Sequence, residues 1–367
     1  MRFTYHLPTK VHFGAGAVEG LEDVVGGRKT LVVAGKSSMR RIGLLDRVLE
    51  ILADDEVAVF EEVESDPSVE TVDEGVKSAE GAEVIVALGG GSPMDAAKAM
   101  SVVAGNGGTA RDYLRGKVVS KAGPDIIAVP TTSGTGSEVT EVSVLSDHEA
   151  KVKNSFRSVH MYPKVALDDP ELTRTMPSEV TASTGLDALT HAVEALVSKR
   201  SQPICEIVCM ESAKIVLENI EDAVEDGDDM EARTNMMYAS LLAGIGITHA
   251  GAGVAHGLSY SLWRVTGLAH GTACGTLLPH IIRYNLGYDN GRYGKLAVYC
   301  GFNKVEDLIS RVEEINMRLG LKDRLGGLGV GEDDIASMVD VGMTGSARAN
   351  PRPVNEEKLA SLIRDML

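Results

Sequence analysis

Short runs of β-branched and aliphatic residues alternate with amphipathic stretches through the first half of the chain, and this alternation constrains the fold most. The runs read TLVVAG, VAVFEEV, EVIVAL and DIIAVP, and they begin at residues 30, 57, 83 and 125. Buried strands separated by helices form βαβ units, whose right-handed crossovers place the strands parallel in one sheet. The first half is therefore predicted to be an α/β domain with a Rossmann-like parallel sheet.

The second half carries helical periodicity, and no strand pattern is evident in it. The stretch SEVTASTGLDALTHAVEALVSK begins at Ser178, a residue that suits an N-cap, and it has Glu179 in its first turn. Further helical stretches follow to the end of the chain. We predict two domains: residues 1–175 form an α/β dinucleotide-binding domain, and residues 176–367 form an all-α domain.

Charge and hydropathy narrow the classes of function. The net charge is −17 at pH 7, whereas nucleic-acid binding needs a basic face, so we expect no nucleic-acid partner. No apolar window approaches the roughly 18 residues of a membrane span, and the N-terminus lacks the apolar core of a signal peptide. We therefore expect a cytoplasmic protein without a membrane partner. Its four cysteines are interpreted as reduced, small apolar side chains: Cys205, Cys209, Cys274 and Cys300.

A glycine cluster follows the third predicted strand. The sequence GGGSPMDAAKAM spans residues 89–100, and a helix is predicted to begin within it. Glycines at the end of a strand let backbone N–H groups approach an anion, and the helix N-terminus adds positive charge. Ser92 can cap the helix or bind a phosphate, and Pro93 suits its first position. The pattern favours a phosphate site, with a plain glycine turn as the alternative.

A loop rich in hydroxyl groups follows the fourth predicted strand. The sequence VPTTSGTGSEVT spans residues 129–140 and places five hydroxyl side chains before Glu138. Because ligands of open α/β sheets bind at the carboxyl ends of strands, two such loops on neighbouring strands favour a ribose and pyrophosphate site. Taken alone, the loop fits a capping role equally well.

One carboxylate and three imidazoles stand out in the helical half. Asp187 and His191 are four residues apart on one helix and so share a face, while His256 and His270 lie in an apolar, glycine-rich segment. Three nitrogens and one oxygen suit Fe²⁺ or Zn²⁺ and leave a position for a substrate oxygen. The alternative for the first pair is an intrahelical hydrogen bond. His249, in the same segment, is interpreted as a core histidine.

Together these motifs resemble the iron-dependent (group III) alcohol dehydrogenase family along nearly the whole chain. The likeness includes FGAGAVEGL, GGGSPMDAAK, IAVPTTSGTGSEVT, LDDPELTRTMPSEVTASTGLDALTHAVE and the segment AHGL…LAHG…LLPHI. The resemblance implies the architecture shared with dehydroquinate synthase-like proteins, in which a dinucleotide domain precedes a helical domain that binds metal and substrate. It also implies an active site in the cleft between the domains, and a homo-oligomer, as a dimer or a larger assembly.

The resemblance also assigns residues. The family's metal ligands fall on Asp187, His191, His256 and His270. Its nucleotide contacts fall on Gly90, Gly91 and Ser92, with Asp95 beside them, and on Thr131, Thr132, Ser133 and Lys153. Many members have a second histidine four residues after the ligand that matches His256. This chain has Tyr260 there, and a phenol with a pKa of about 10 is a different proton carrier, so Tyr260 is a further catalytic candidate.

The residues after the first predicted strand bear on the choice of cofactor. NAD-preferring relatives often place an aspartate there for the adenosine ribose, whereas this chain has Gly35, followed by Lys36, Ser37, Arg40 and Arg41. A carboxylate repels a 2′-phosphate, while cations and hydroxyl groups accept it. The stretch favours NADP over NAD, and a solvated basic start of a helix is the alternative.

The resemblance therefore implies reversible hydride transfer between a small aliphatic alcohol or aldehyde and NADP or NAD, with Fe²⁺ as the Lewis acid. Three alternatives stay open among related nucleotide-binding proteins: a zinc-dependent glycerol or polyol dehydrogenase of the same superfamily, a dehydroquinate synthase-like enzyme, and a nucleotide-binding sensor that has lost catalysis. A metal hydrolase would use the same ligands but would leave the two nucleotide loops unexplained.

Overall fold

The structure is a computed structural model that describes residues 2–150, 152–343 and 345–367. The chain divides into two compact units. One is His6–Met176, and the other is Pro177–Leu367 together with the N-terminal residues up to Tyr5. The first unit contains the described strands and the second is helical, so the predicted fold class is confirmed.

The strands of the first unit follow the chain in order. They are β1 (Lys10–Phe13), β2 (Thr30–Gly35), β3 (Val57–Val63), β4 (Val84–Gly89), β5 (Asp125–Pro130), β6 (Val142–Asp147), β7 (Val152–Arg157) and β8 (Val165–Asp168). Among the described residues, six of them form one parallel sheet in the order β1-β8-β5-β4-β2-β3, and β6 pairs with β7 in a separate antiparallel ribbon. The four predicted strands β2, β3, β4 and β5 lie together on one side of this sheet.

The helices of the first unit cover the sheet. They are α1 (Leu21–Val25), α2 (Ser38–Arg41), α3 (Leu44–Ile51), α4 (Val69–Ser78), α5 (Gly91–Asn106) and α6 (Ala110–Leu114). Strand β4 is buried at every position, as expected of a parallel strand with both faces covered. Two apolar clusters result, one on each face: Leu31 and Val33 of β2 belong to one, and Val32 and Ala34 belong to the other.

The second unit is a bundle of helices. They are α7 (Ser178–Val197), α8 (Pro203–Glu225), α9 (Met230–Ala250), α10 (Val254–Thr266), α11 (His270–Asn285), α12 (Arg292–Tyr299), α13 (Val305–Arg318), α14 (Ile335–Gly342), α15 (Gly345–Ala349) and α16 (Glu356–Met366). Ser178, predicted as the N-cap of α7, is its first residue, and Pro177 precedes it. Helix α7 is buried over most of its length and packs against α8, α9 and α11.

Helix α11 approaches α7 through glycines. A Cβ atom added at Gly271 would lie 1.9 Å from the backbone oxygen of Ser183, and one added at Gly275 would lie 2.8 Å from a methyl group of Leu186. The two glycines are four residues apart and share one face of α11. The close approach fixes the distance between the first turn of α11 and the middle of α7.

The length and composition of the helices bear on whether any of them could cross a membrane. Within the described residues, no single helix is long and apolar enough to cross a membrane. Helices α9 and α10 are long and apolar enough only when they are taken together, and the pair is bent by 105°.

We expect Gly271→Ala to destabilise the protein by about 1–3 kcal/mol, because the added methyl group meets backbone rather than a movable side chain. Denaturant unfolding measures the change. Gly294→Ala in α12 is the matched control, since nothing lies within 4 Å of its added Cβ and alanine is the better helix former. Equal stability of the Gly271→Ala variant and the wild type would contradict the close approach of α7 and α11.

Candidate functional site

Helix α7 carries two acidic groups and one imidazole along one buried face. Asp187, His191 and Glu194 are at positions i, i+4 and i+7 of this helix, and all three are buried. Helix α10 brings His256 in its first turn, and α11 begins at His270. Three helices therefore direct their side chains to one place in the helical unit.

The ligand atoms of this cluster lie at distances that suit one shared ion. Nε2 of His256 is 3.4 Å from Oδ1 of Asp187, and Nε2 of His270 is 3.6 Å from the same oxygen. Two ligands bound to one tetrahedral ion with bonds of about 2.1 Å are roughly 3.4 Å apart. The distances between the ligand atoms thus match the edges of a metal site.

Two atoms of the cluster are also left without hydrogen bonds. Oδ1 of Asp187 and Nε2 of His256 are buried, and neither has a hydrogen-bond partner among the described residues. Buried polar atoms without partners are costly, and a cation between them removes that cost. The donor set fits a divalent transition metal.

His191 stands beside these atoms. Its Nδ1 is 3.9 Å from Oδ2 of Asp187, and its ring stacks on His256 with centroids 4.4 Å apart. A separation of 3.9 Å is too long for a hydrogen bond, so the intrahelical hydrogen bond considered for Asp187 and His191 is not formed. Cys274, one turn after His270, forms a group with Asp187, His256 and His270 in which the ligand atoms all lie within 4.8 Å of one another, and His191 is not part of this group.

Glu194 positions His256, and sequence reasoning missed it. Its Oε2 lies 2.6 Å from Nδ1 of His256 and accepts a hydrogen bond from the backbone N–H of Gly253 at 2.8 Å, while Oε1 accepts from that of Ala255 at 2.6 Å. A carboxylate on Nδ1 places the proton there and leaves the lone pair of Nε2 for a metal. The sequence signal is the spacing of seven residues between Asp187 and Glu194.

Ser259 has the same effect on His270. Its hydroxyl donates to the backbone oxygen of His256 at 2.8 Å, and its oxygen lies 3.1 Å from Nδ1 of His270. Because the only hydroxyl proton is already donated, this oxygen accepts from the N–H at Nδ1, and Nε2 faces Asp187 with its lone pair. Tyr260 stacks on the His270 ring with centroids 5.4 Å apart, so the structure places this candidate against the cluster.

The charges in the cluster shift the pKa values of its members. Burial favours the neutral acid, but the imidazoles of His191, His270 and His256 outweigh it and hold the pKa of Asp187 well below its usual range. Burial likewise raises the pKa of the Cys274 thiol, but His256 and His270 lower it to about 7. The cluster therefore favours anionic ligands.

The glycine cluster of the first unit lies at the carboxyl end of β4. Gly90 is the N-cap of α5, which begins at Gly91, so the capping role considered for Ser92 and the first helical position expected for Pro93 are wrong, while phosphate binding by Ser92 stays a prediction. The Ser92 hydroxyl instead accepts a hydrogen bond from the backbone N–H of Asp66 at 3.2 Å, and Lys153 pairs with Asp66 at 2.6 Å. These contacts bring Lys153 towards the start of α5.

The hydroxyl-rich loop packs directly on these glycines. Cβ atoms added at Gly90 and Gly91 would lie 3.0 Å from Thr132 and 2.8 Å from Thr135, so larger residues would displace the loop. The backbone N–H of Thr131 donates to the backbone oxygen of Gly89 at 3.0 Å. The hydroxyl oxygens of Thr132 and Ser133 are buried without hydrogen-bond partners in the part of the chain that the structure describes, which fits a polar ligand in this place.

A buried lysine holds the far end of that loop, and the sequence patterns did not indicate it. Nζ of Lys98 donates to the hydroxyl groups of Ser137 and Thr140 at 2.7 and 3.1 Å, and to the backbone oxygen of Val142 at 3.1 Å. Burial lowers the pKa of Lys98 to about 8, although Asp95 and nearby glutamates oppose the shift. Asp95 accepts from Ser137 at 3.0 Å and from the backbone N–H of Val144 at 3.1 Å, so its contacts also hold the loop.

The cations after β2 are paired with acidic side chains of β3 and α3. Lys36 lies 3.5 Å from Glu62, and Arg40 lies 2.8 Å from Glu61 and 3.1 Å from Asp46. Ser37 precedes α2 in a left-handed conformation, and Gly35 ends β2. A 2′-phosphate would have to share these cations with carboxylates.

Known proteins resemble the chain along its whole length. A family model described as "Iron-containing alcohol dehydrogenase" matches residues 8–170, and one described as "Fe-containing alcohol dehydrogenase family, C-terminal" matches residues 181–367. The 1,3-propanediol dehydrogenase of Klebsiella pneumoniae is 36% identical over 99% of this chain and 98% of its own length. The NADPH-dependent butanol dehydrogenase of Clostridium saccharobutylicum is 35% identical over 99% of this chain and 97% of its own length.

A solved structure agrees with these relatives. The sulfoacetaldehyde reductase of Bifidobacterium kashiwanohense, in complex with NAD+, has a TM-score of 0.94 and 32% sequence identity. The match covers 100% of this chain and 99% of that one. The likeness therefore includes both units and the order of their elements.

We expect Glu194→Gln to weaken metal binding by roughly 10–100-fold, because an amide has one acceptor oxygen for three donors and no charge to hold the proton on Nδ1 of His256. Competition with a chromophoric chelator measures the metal affinity. Glu179→Gln on the exposed start of the same helix is the matched control. Unfolding of both metal-free variants separates loss of fold from loss of affinity, and an unchanged affinity in a folded Glu194→Gln protein would refute this role.

Proposed function

The chain belongs to the iron-containing alcohol dehydrogenase family, and from this premise we propose how its residues share the reaction. It is a metal-dependent, NAD(P)-linked alcohol dehydrogenase that transfers a hydride between an alcohol carbon and the nicotinamide. We assign dinucleotide binding to residues 1–175, and metal and substrate binding to residues 176–367. The substrate that we propose is a small aliphatic alcohol or the corresponding aldehyde.

One observation carries the metal assignment: Oδ1 of Asp187 and Nε2 of His256 are buried, 3.4 Å apart and without hydrogen-bond partners among the described residues. Asp187, His191, His256 and His270 are the proposed ligands. Iron, or zinc as the alternative, supplies a Lewis acid that lowers the pKa of the alcohol hydroxyl and polarises the aldehyde carbonyl. The carboxylate of Asp187 contributes the negative charge that holds a divalent cation in an apolar helical unit.

The side chains around the ligands fix their protonation and leave one side accessible. Glu194 and Ser259 keep the protons of His256 and His270 on Nδ1. The His270 side chain is 28% exposed, against 6% for Asp187 and 4% for His256, so we propose that the alcohol approaches on the His270 side. Tyr260, stacked on His270, is the proposed group that accepts the hydroxyl proton or returns it.

The loops at the strand ends are the proposed dinucleotide site. The backbone N–H groups of Gly90, Gly91 and Ser92 open the 16-residue helix α5 and suit a pyrophosphate. The hydroxyl groups of Thr132 and Ser133, which have no hydrogen-bond partners among the described residues, lie on the neighbouring loop with Thr131, and they suit the ribose or nicotinamide. Asp95 accepts a hydrogen bond from the Ser137 hydroxyl of this loop, and we propose Lys153 for the nicotinamide ribose.

We further propose that NADP is preferred over NAD. Gly35 supplies no carboxylate at the end of β2, and Lys36, Ser37 and Arg40 offer a 2′-phosphate cations and a hydroxyl group. The acidic partners of Lys36 and Arg40 reduce this preference, because the phosphate competes with them.

Location and assembly stay predictions. Cys205, Cys209, Cys274 and Cys300 are free thiols, which suits a reducing compartment, and we propose the cytoplasm. The homo-oligomeric state is likewise a prediction, as is the absence of nucleic-acid and membrane partners.

A steady-state assay with NADPH and NADH on a panel of short alcohols and aldehydes, together with metal analysis of anaerobically purified protein, tests this function. Bound zinc with glycerol as the best substrate would favour the polyol dehydrogenase alternative. Nucleotide binding without turnover on any member of the panel would favour the catalytically silent sensor.

We expect Asp187→Ala and His256→Ala to lower turnover by roughly 10³-fold or more, since metal stabilisation of the transition state is worth several kcal/mol. Binding of NADPH, followed by its fluorescence, should change little, because the nucleotide loops belong to the other unit. His249→Ala is the control: this imidazole hydrogen-bonds the backbone oxygen of Ile245 and stacks on Tyr5, outside the cluster. Near wild-type turnover of either cluster variant without bound metal would show that the ligand assignment is wrong.

We expect Gly35→Asp to lower kcat/KM for NADPH relative to NADH at least about tenfold, because its carboxylate repels the 2′-phosphate and accepts hydrogen bonds from an adenosine ribose. The backbone of Gly35 is not left-handed, and its added Cβ meets the rotatable hydroxyl of Ser38 at 3.0 Å, so the strand tolerates a side chain. Gly35→Asn is the control of equal size without charge. If the aspartate variant kept the wild-type ratio, the 2′-phosphate would have to bind elsewhere.

A further inference from the structure

Cys274 lies inside the cluster of metal ligands rather than in the apolar core. It is buried, and its Sγ is 3.9 Å from Nε2 of His270, one helical turn earlier on α11. Its Sγ and the ligand atoms of Asp187, His256 and His270 all lie within 4.8 Å of one another. The other three cysteines do not take part in this group: Cys205, Cys209 and Cys300.

The position of the sulfur matches that of a ligand. For a tetrahedral ion with bonds of about 2.1 Å to nitrogen and 2.3 Å to sulfur, the two ligand atoms are roughly 3.6 Å apart. The observed 3.9 Å between Sγ of Cys274 and Nε2 of His270 is longer than this by only a few tenths of an ångström. A second, independent feature points to an ion here, since Nε2 of His256 and Oδ1 of Asp187 are buried without partners among the described residues.

We propose that the Cys274 thiolate is a further ligand of the metal in this chain, in addition to Asp187, His191, His256 and His270; this rests on the metal centre proposed above. On binding, the S–H bond breaks, a metal–sulfur bond forms and the proton passes to solvent. The ligand set that the family resemblance assigns contains no sulfur. A thiolate makes the site softer, so it raises the affinity for zinc relative to a site of nitrogen and oxygen alone.

Cobalt(II) is a direct probe of the metal–sulfur bond, because a cysteine thiolate bound to Co²⁺ gives an intense charge-transfer absorption in the near ultraviolet that nitrogen and oxygen ligands do not give. The full chain is freed of metal with a chelator, titrated with CoCl₂ to one equivalent and followed by absorption. We expect the wild type to show the sulfur band, and Cys274→Ser to bind one equivalent of cobalt without it. Cys300→Ser, which removes a thiol elsewhere in the helical unit, is the control and keeps the band.

The outcomes separate this inference from the metal centre itself. Binding of one cobalt per chain without a sulfur band, or a band that survives in Cys274→Ser, overturns ligation by Cys274 and leaves the metal centre standing. Failure of the folded wild type to bind cobalt overturns both. The wild-type spectrum alone suffices if the serine variant does not fold. As a second measurement, zinc affinity by chelator competition should fall at least tenfold in Cys274→Ser.

Discussion

The burial of the charged Asp187 carboxylate is the constraint on which the helical unit depends. An ionised carboxylate removed from water costs several kcal/mol unless opposite charge surrounds it. The bundle surrounds this carboxylate with imidazoles that can carry a proton or bind a cation: His191 on the same helix, His256 on α10 and His270 on α11. The packing of these helices and the chemistry of the site are therefore coupled, so a change in either alters the other.

Glu194 links the start of helix α10 to this centre. The N-cap of α10 is Gly253, which has no side chain to satisfy the first N–H groups. Glu194, on α7, accepts from two of them and from His256 with one carboxylate. Its negative charge at a helix N-terminus is stabilising. The cap of one helix and the orientation of a ligand are thus provided by a single side chain of another.

The sequence predicted those features of the fold that are local and repeated. Strands β2 to β5 have six or seven residues each and alternate with helical stretches, so their pattern was sufficient. Strands β1 and β8 have four residues each, too few for periodicity to distinguish them from loops. The assigned ligands followed from motifs, whereas Glu194, Ser259 and Lys98 act on partners tens of residues away or across a loop. Spacing can place Glu194 on the same helical face as Asp187, but it does not specify the partner of such a side chain, because these contacts arise from how the helices and loops pack.

Cys274 has the same local relation to His270 that His191 has to Asp187. Residues four apart share a helical face, and His270 and Cys274 have this spacing on α11. In a sequence with few cysteines, a cysteine is on average an unreactive, buried thiol. That average does not determine what one particular cysteine contacts. Here the first two turns of α11 lie close against α7 at Gly271 and Gly275. That contact turns the face carrying His270 and Cys274 towards Asp187, and the chemistry of the thiol follows from this placement.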